Sequence, residues 1–196
     1  MDHDLRWPEV ATDAPVHSEQ VATRQGTWST TLLRELVETI LPALLIAVAV
    51  NLFIAQPTRV DGTSMEPTLR SEERLIIEKV SYRLHAPARG DIVVLKLPGR
   101  EHEPLIKRVI GLPGDVIAIR NGRVYIDGAP VDEPYLDQIT PGYVPAQIVP
   151  EGHVFVLGDN RSASNDSRIF GMVPQKDLIG RAWITYWPLD VFGPVH

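Results

Sequence analysis

Apolar residues form one long run near the amino terminus and afterwards recur only in short blocks. Residues 40–55 are apolar apart from Pro42 and Asn51, and continuing back to Leu36 makes the segment 20 residues long. A membrane-spanning helix needs about 20 predominantly apolar residues, and this run has no polar stripe that would face water. The pattern therefore predicts a transmembrane anchor over 36–55, with a buried core helix and a cleavable signal peptide as the alternatives.

The short blocks after this run have the pattern of β-strands. They are rich in β-branched residues and are bounded by turn residues, at 74–78, 91–95, 116–119, 124–126 and 154–157. Asn121-Gly122 separates two of them and indicates a two-residue hairpin, because a type I′ turn needs positive φ at both central positions. The pattern predicts a mainly β, antiparallel domain over 56–196, with short helical turns near 65–69 and 175–178. A small Pro-rich excursion is expected at about 116–152.

Charge and composition narrow the function classes. The net charge of −6 argues against a nucleic-acid partner, and the absence of cysteine excludes disulfides, zinc thiolates and a cysteine nucleophile. Residues 1–31 are acidic, contain two prolines and show no periodicity, so they are expected to be a disordered tail. A long acidic leader is unlike the short basic start of a signal peptide, which favours the uncleaved anchor.

The charges that flank the anchor do not decide its orientation, and the histidines do not indicate a metal site. Arg24 and Arg34 precede the apolar run and Arg59 and Arg70 follow it, so the positive-inside rule leaves the orientation undecided. The six histidines are scattered without metal-ligand spacing, and no phosphate-binding glycine motif occurs. No metal and no cofactor are therefore expected, and the candidate chemistry lies in hydroxyls, carboxylates and lysines.

Three polar clusters could carry that chemistry. Residues 61–69 place Ser64 at a strand-to-turn junction, where a capped turn is the simpler interpretation. Residues 105–115 place Lys107 inside an apolar strand, where it is either desolvated or an extended side chain at a sheet edge. Residues 158–168 form a polar loop that is either a solvated connection or the support of a site.

Taken in order, these motifs resemble the bacterial type I signal peptidases. The resemblance rests on SMEPTL at 64–69, RGDIVV at 89–94, KRVIGLPGD at 107–115 and GDNRSASNDSR at 158–168, and it covers roughly residues 36–188. It implies a serine endopeptidase that removes signal peptides from exported preproteins after an Ala-x-Ala-like site. It also implies a single-pass plasma-membrane protein with a cytoplasmic amino terminus and a catalytic domain on the extracytoplasmic face.

The resemblance assigns roles to residues of this chain. Ser64 corresponds to the nucleophile and Lys107 to a neutral general base, which requires a lowered lysine pKa. Ser164 is expected to hydrogen-bond the Lys107 amine and orient it. The residues expected to form an ionic framework around this dyad are Asp159, Asp166, Arg108 and Arg168.

Substrate contacts follow from the same resemblance. Val60, Met65, Leu69 and Ile106 match the shallow pockets for small residues before the cleaved bond, and the substrate is expected to bind as an added strand. The backbone N–H of Ser64 is the expected oxyanion donor. Gly62 stands where some members carry a serine, which leaves the second donor open.

Two other function classes remain open from the residues alone. One is a catalytically silent, membrane-tethered β module for binding or assembly, and the other is a self-cleaving Ser/Lys protease. The late aromatic residues are open as well: core packing is expected for at least half of Trp183, Tyr186, Trp187 and Phe192, and contact with the lipid bilayer for the others.

Overall fold

The computed structural model describes residues 28–99 and 102–196. The expected tail therefore lies, as far as residue 27, outside the described residues. The first helix, α1, spans Trp28–Phe53 and so begins within the segment expected to be the tail. It contains the expected anchor as far as Phe53, yet among the described residues no helix has the length and apolar character that crossing a membrane requires.

The remainder of the described chain is built mainly of strands. They are β1 (Ala55–Arg59), β2 (Arg74–Glu78), β3 (Ile92–Leu95), β4 (Leu105–Gly111), β5 (Val116–Arg120), β6 (Arg123–Ile126), β7 (Ala129–Pro130), β8 (Val144–Ile148), β9 (His153–Leu157), β10 (Val173–Pro174), β11 (Leu178–Trp187) and β12 (Gly193–Pro194). Two short helices, α2 (Ser81–Leu84) and α3 (Ser167–Phe170), lie between them, with 3₁₀ turns at Gln175–Asp177 and Leu189–Val191.

All of the strand pairs are antiparallel, which confirms the mainly β, antiparallel prediction. The larger sheet has the order β1-β2-β11-β3-β4-β9-β10, with β12 added beside β11. The smaller sheet has the order β7-β6-β5-β8 and lies within the segment expected to be the excursion. Asn121 and Gly122 both have positive φ and join β5 to β6 as a tight hairpin, as the sequence predicts.

The core forms because alternate residues of the central strands enter different apolar clusters. On β3, Ile92 and Val94 pack in one cluster, while Val93 and Leu95 pack in another. Since side chains alternate between the faces of a strand, all four being buried means that both faces of the sheet are covered at this point. The candidate site lies at one end of this doubly covered region, where β4 runs beside β3.

Strand β11 is the main element that the pattern of apolar residues does not predict. It is ten residues long and pairs with both β2 and β3, but register shifts near Ala182 and Thr185 interrupt its alternation. Gly180 allows the close approach to β2, because a Cβ there would collide with the Glu78 carbonyl oxygen. The chain divides within α1, between Ala43 and Leu44, into two units, and the sheets and the site belong to the second.

Candidate active site

The hydroxyl of Ser64 and the amine of Lys107 meet although 43 positions separate them in the chain. Lys107 Nζ lies 2.8 Å from Ser64 Oγ, and it also donates to the Ile106 carbonyl oxygen at 2.8 Å. Lys107 is on β4, opposite Val93 of β3, whereas Ser64 is in the turn that follows β1. The two elements thus bring a potential nucleophile within hydrogen-bond reach of a potential base.

The Lys107 amine is unusually buried for a lysine. Only 2% of the residue is exposed, so the alternative of an extended lysine at a solvated sheet edge is wrong. This burial lowers the pKa of Lys107 to about 8, while the negative charges of Asp166 and Asp159 act in the opposite direction. With such a pKa about one lysine in ten is neutral at pH 7 and about half are neutral at pH 8, and only the neutral amine can act as a general base.

Backbone hydrogen bonds hold the Ser64 turn against neighbouring elements. The Val60 N–H donates to the Glu73 carbonyl at 2.8 Å, which fixes the start of the turn beside β2. Gly62 adopts φ +87°, a conformation that favours glycine, so the turn reverses sharply just before Ser64. The Asn160 N–H donates to the Ser64 carbonyl at 3.0 Å, which ties the Ser64 backbone to the loop after β9.

A buried ion pair joins β4, the strand that carries Lys107, to that same loop. Arg108 and Asp159 are both almost fully buried, and the guanidinium donates to the carboxylate from Nε at 2.9 Å and from Nη2 at 2.7 Å. Arg108 also donates to the Gly90 carbonyl at 3.1 Å and to the His196 carbonyl at 3.1 Å. The bidentate geometry fixes both position and orientation, so the loop is held in register with β4.

A second carboxylate organises the other end of the loop. Asp166 is fully buried, accepts from the Gly158 N–H at 3.1 Å and pairs with Arg168 through two side-chain hydrogen bonds of 2.8 Å each. It also accepts from the Arg168 N–H at 3.2 Å at the start of α3. The structure therefore places Asp159, Asp166, Arg108 and Arg168 around one loop.

Ser164 does not make the hydrogen bond that the resemblance implies. Its hydroxyl is buried and has no hydrogen-bond partner in the described part of the chain, because the Lys107 amine bonds Ser64 and Ile106 instead. Ser164 nevertheless lies beside the site. A Cβ added to Gly158 would collide with its Oγ and would lie 2.5 Å from the Ser64 carbonyl oxygen.

A cleft of about 440 Å³ opens beside Ser64 and Lys107. Its walls are the end of β1 with the following turn, and the start of β4; the lining residues are Thr58, Arg59, Val60, Asp61, Ser64, Met65, Val94, His102, Glu103, Pro104, Leu105, Ile106 and Lys107. Val60, Met65 and Ile106 thus line the cleft, in the positions that the resemblance implies for substrate contacts. Leu69 is not among the lining residues, although it packs in the same apolar cluster as Val60 and Met65.

Strand edges also face this region. Strand β1 is the outer strand of the larger sheet. On β4, Leu105–Arg108 pair with β3, but the pairing with β9 begins only at Arg108. Among the described strands, none therefore pairs with the second side of residues 105–107. An extended peptide could add its backbone to edges of this kind.

The late aromatic residues are more exposed than the sequence predicts. Trp183, Trp187 and Phe192 are 48%, 50% and 65% exposed, so the expectation of core packing for at least half of the four aromatics is wrong. Trp183 and Trp187 belong to β11, and Phe192 follows the 3₁₀ turn after it. They give this end of the sheet an apolar surface.

The sequence patterns assigned no role to several residues at the loop that follows β9. Arg161 is 1% exposed and pairs with Glu133, and the ring of Tyr135 lies 3.9 Å from the Arg108 guanidinium carbon. Glu133 and Tyr135 belong to the excursion, which has weak periodicity and no motif that points to the loop. The one sequence feature that could have pointed to them is that a carboxylate, Glu133, and an aromatic residue, Tyr135, stand close together in this Pro-rich segment.

Comparison with known proteins identifies the family. The model described as signal peptidase, peptidase S26, matches residues 33–187. A signal peptidase I from Leptolyngbya laminosa is 41% identical over 169 residues, covering 82% of this chain and 83% of the relative. One from Bacillus caldolyticus is 39% identical over 165 residues, covering 77% and 90%.

A solved structure is similar as well. The crystal structure of a signal peptidase I from Enterococcus faecalis shares 34% identity with a TM-score of 0.45, and the match covers 50% of this chain and 97% of that one. The family model spans Ser64, Lys107 and the loop after β9. The chain therefore belongs to the signal peptidase family, and it is a serine endopeptidase of the signal peptidase I class.

Proposed function

We propose that this enzyme cleaves signal peptides from preproteins with Ser64 as nucleophile and neutral Lys107 as general base. The observation that carries the proposal is the 2.8 Å contact between Ser64 Oγ and a lysine amine that is 2% exposed. A serine hydroxyl is a weak nucleophile unless a base takes its proton, and only an uncharged amine can do so. Burial supplies that uncharged amine by lowering the pKa of Lys107 to about 8.

The chemical steps follow from this geometry. Ser64 Oγ attacks the scissile carbonyl carbon while its proton passes to Lys107 Nζ, and the resulting ammonium then protonates the leaving amine as the C–N bond breaks. The same amine next takes a proton from water, which attacks the acyl-enzyme. The ammonium returns that proton to Ser64 Oγ as the ester C–O bond breaks, and the signal peptide leaves as a carboxylate. The Ser64 N–H is the proposed donor to the oxyanion, and Gly62 has no side chain that could act as a second donor.

The cleft supports the choice of substrate. We place the residues before the cleaved bond between the edge of β1 and residues 105–107, where Val60, Met65 and Ile106 provide a shallow apolar lining. Side chains as small as alanine fit such a surface, and backbone pairing holds the peptide extended. An Ala-x-Ala-like site fits this arrangement.

We extend the proposal to a membrane-bound enzyme, with an anchor at 36–55, a cytoplasmic amino terminus and a catalytic domain at 56–196 on the extracytoplasmic face. The apolar run in the sequence supports it, as do Leu44, Leu45 and Ile46, which are more than half exposed. Exposed apolar surface of this kind calls for a nonaqueous partner. Trp187 and Phe192 would add interfacial contacts.

One assay tests the catalytic proposal. The detergent-solubilised chain is incubated with a preprotein that carries an Ala-x-Ala site, and the new amino terminus of the product is sequenced. The parent should cut after that site, and Ser64→Ala and Lys107→Met should each lower the rate by about a hundredfold or more. Parent-like cutting by either variant would exclude the dyad.

Two further arms separate the alternatives. A self-cleaving protease would process its own chain but leave the added preprotein intact, and a silent binding module would process neither. For the membrane proposal, the full chain should resist extraction by alkaline carbonate, whereas a chain that begins at Gln56 should not be retained. Equal extraction of both would remove the anchor from the proposal.

A further inference from the structure

We propose that Glu133 and Tyr135, in the excursion that carries the smaller sheet, are positioning residues for the catalytic loop at 158–162. The proposal rests on the Ser64–Lys107 mechanism above and adds a part of the enzyme that neither residue of the dyad touches. Its basis is a connected set of side-chain contacts that links the two residues to Arg161 and Arg108. In that set, the Glu133 carboxylate binds Arg161 directly and is linked to Arg108 through Tyr135.

The first contact in the set is between Glu133 and Arg161. The Arg161 guanidinium donates to Glu133 Oε1 at 2.5 Å and to Oε2 at 3.1 Å, and it also contacts Thr140. Through Nε the same side chain donates to the Gly158 carbonyl at 3.1 Å. Because Arg161 is 1% exposed, its charge depends on Glu133 for compensation, and its direction decides where the Gly158 carbonyl lies.

The second contact is between Tyr135 and Arg108. The Tyr135 ring lies 3.9 Å from the Arg108 guanidinium carbon, within the range of an attractive cation–π contact. The Tyr135 hydroxyl donates to Glu133 Oε1 at 2.8 Å, so the carboxylate that pairs with Arg161 also orients this ring. Burial, followed by the nearby Glu133 charge, raises the pKa of Tyr135, which keeps the phenol a donor.

These two arginines hold the loop at adjacent residues. Arg161 binds the Gly158 carbonyl, and Arg108 binds the Asp159 carboxylate. The next amide, that of Asn160, donates to the Ser64 carbonyl at 3.0 Å. A displacement of the loop would therefore move the backbone of the nucleophile, and small displacements of reacting atoms cost much of the rate.

These contacts join two parts of the chain that are distant in sequence. Glu133 and Tyr135 follow the β6–β7 hairpin of the smaller sheet, whereas the loop connects β9 to α3 beside the larger sheet. Gln138, also in the excursion, adds a 3.3 Å hydrogen bond to the Asp159 carbonyl. The excursion thus contacts both the loop and Arg108 of β4.

The test compares matched variants of the full chain in the preprotein assay. Glu133→Gln and Tyr135→Leu are set against Asp132→Asn and Tyr143→Leu, exposed residues of the same excursion. Rates are expressed per Ser64 reactive towards a serine-directed acylating probe, so that unfolded molecules do not count. Each test variant should lose about tenfold or more in kcat, with KM within about twofold, because the dyad and not the cleft is displaced.

A conservative variant and a second readout complete the design. Tyr135→Phe keeps the ring over Arg108 and should recover most of the kcat lost in Tyr135→Leu. In Glu133→Gln, amide hydrogen exchange of residues 158–162 should be faster than in Asp132→Asn, and this readout does not depend on turnover. If the parent fails to cut, the proposed function fails, and the exchange result alone decides the positioning role.

Several outcomes would overturn the proposal. The proposal is wrong if Glu133→Gln or Tyr135→Leu has the same kcat per reactive serine as its control variant. It is also wrong if Tyr135→Phe loses as much kcat as Tyr135→Leu. Unchanged exchange at 158–162 in Glu133→Gln would also overturn it. A parent that cuts while both test variants cut equally well would leave the dyad mechanism intact and remove only the role of the excursion.

Discussion

Lys107 Nζ lies 2.8 Å from Ser64 Oγ, with one side chain supplied by a central strand and the other by a turn after an edge strand. The pair is therefore assembled before any substrate arrives. Burial holds the lysine pKa near 8, so the contact is between a hydroxyl and an amine that readily loses its charge. This relationship leads directly to two predictions on pH.

The first prediction concerns the rate of cleavage. Since the protonated amine cannot accept the Ser64 proton, kcat/KM should rise with pH through an apparent pKa of about 8 and level off above it. The measurement is a pH–rate profile with a preprotein substrate, together with unfolding scans that exclude denaturation. A profile that is flat from pH 6 to 10 would contradict a Lys107 base.

The second prediction concerns stability. The pKa of a lysine in the unfolded chain is 10.5, whereas that of Lys107 in the fold is about 8. Between these pH values the unfolded chain binds more protons than the folded one, so the free energy of unfolding rises with pH. Below pH 8 the full cost of the buried charge is present. Lys107→Met should then raise the free energy of unfolding by as much as about 3 kcal/mol at pH 7, and this gain should vanish above pH 10.5.

Urea denaturation at several pH values checks this prediction. Lys96→Met is the matched control, because it removes a positive charge from an exposed lysine. If Lys107→Met is less stable than Lys96→Met at pH 7, the buried charge of Lys107 does not destabilise the fold and the prediction is wrong.

The third prediction concerns the buried pair of Arg108 and Asp159. Asp159→Asn should lower the free energy of unfolding by about 3–5 kcal/mol, because it leaves a buried guanidinium without its carboxylate. Glu72→Gln, which breaks the exposed pair with Arg59, is the control and should leave the urea midpoint nearly unchanged. Equal midpoints for the two variants would show that the buried pair does not stabilise the loop.

The fourth prediction uses the close packing at Gly158. In Gly158→Ala the new Cβ would lie 2.5 Å from the Ser64 carbonyl oxygen and would collide with Ser164, so the loop or the nucleophile must move. We expect a loss of about a hundredfold in kcat and about 1–3 kcal/mol in stability. Gly193→Ala, where a Cβ would meet nothing within 4 Å, should behave as the parent in both measurements.

Contacts that decide the chemistry were only partly accessible from sequence. The order of the Ser64, Lys107 and Gly158–Arg168 motifs indicated the family, because each motif is local and its residues stand at fixed positions in the chain. The same reasoning expected a hydrogen bond from Ser164 to Lys107. In the structure the Lys107 amine bonds Ser64 and the Ile106 carbonyl instead, and a choice between such partners is made by the fold and not by a local motif.

By itself the sequence determined the antiparallel β class, the hairpin at Asn121-Gly122 and the apolar run at 36–55, and through its motifs it pointed to Ser64 and Lys107 as the proposed reacting pair. These follow from periodicity, turn chemistry and local motifs, which act over a few residues. Only the tertiary structure decided that Lys107 is buried, that β11 joins β2 to β3, and that Glu133 and Tyr135 reach the loop at 158–162. Those features depend on contacts between distant segments, whose free energies are set by burial and charge pairing in the finished fold.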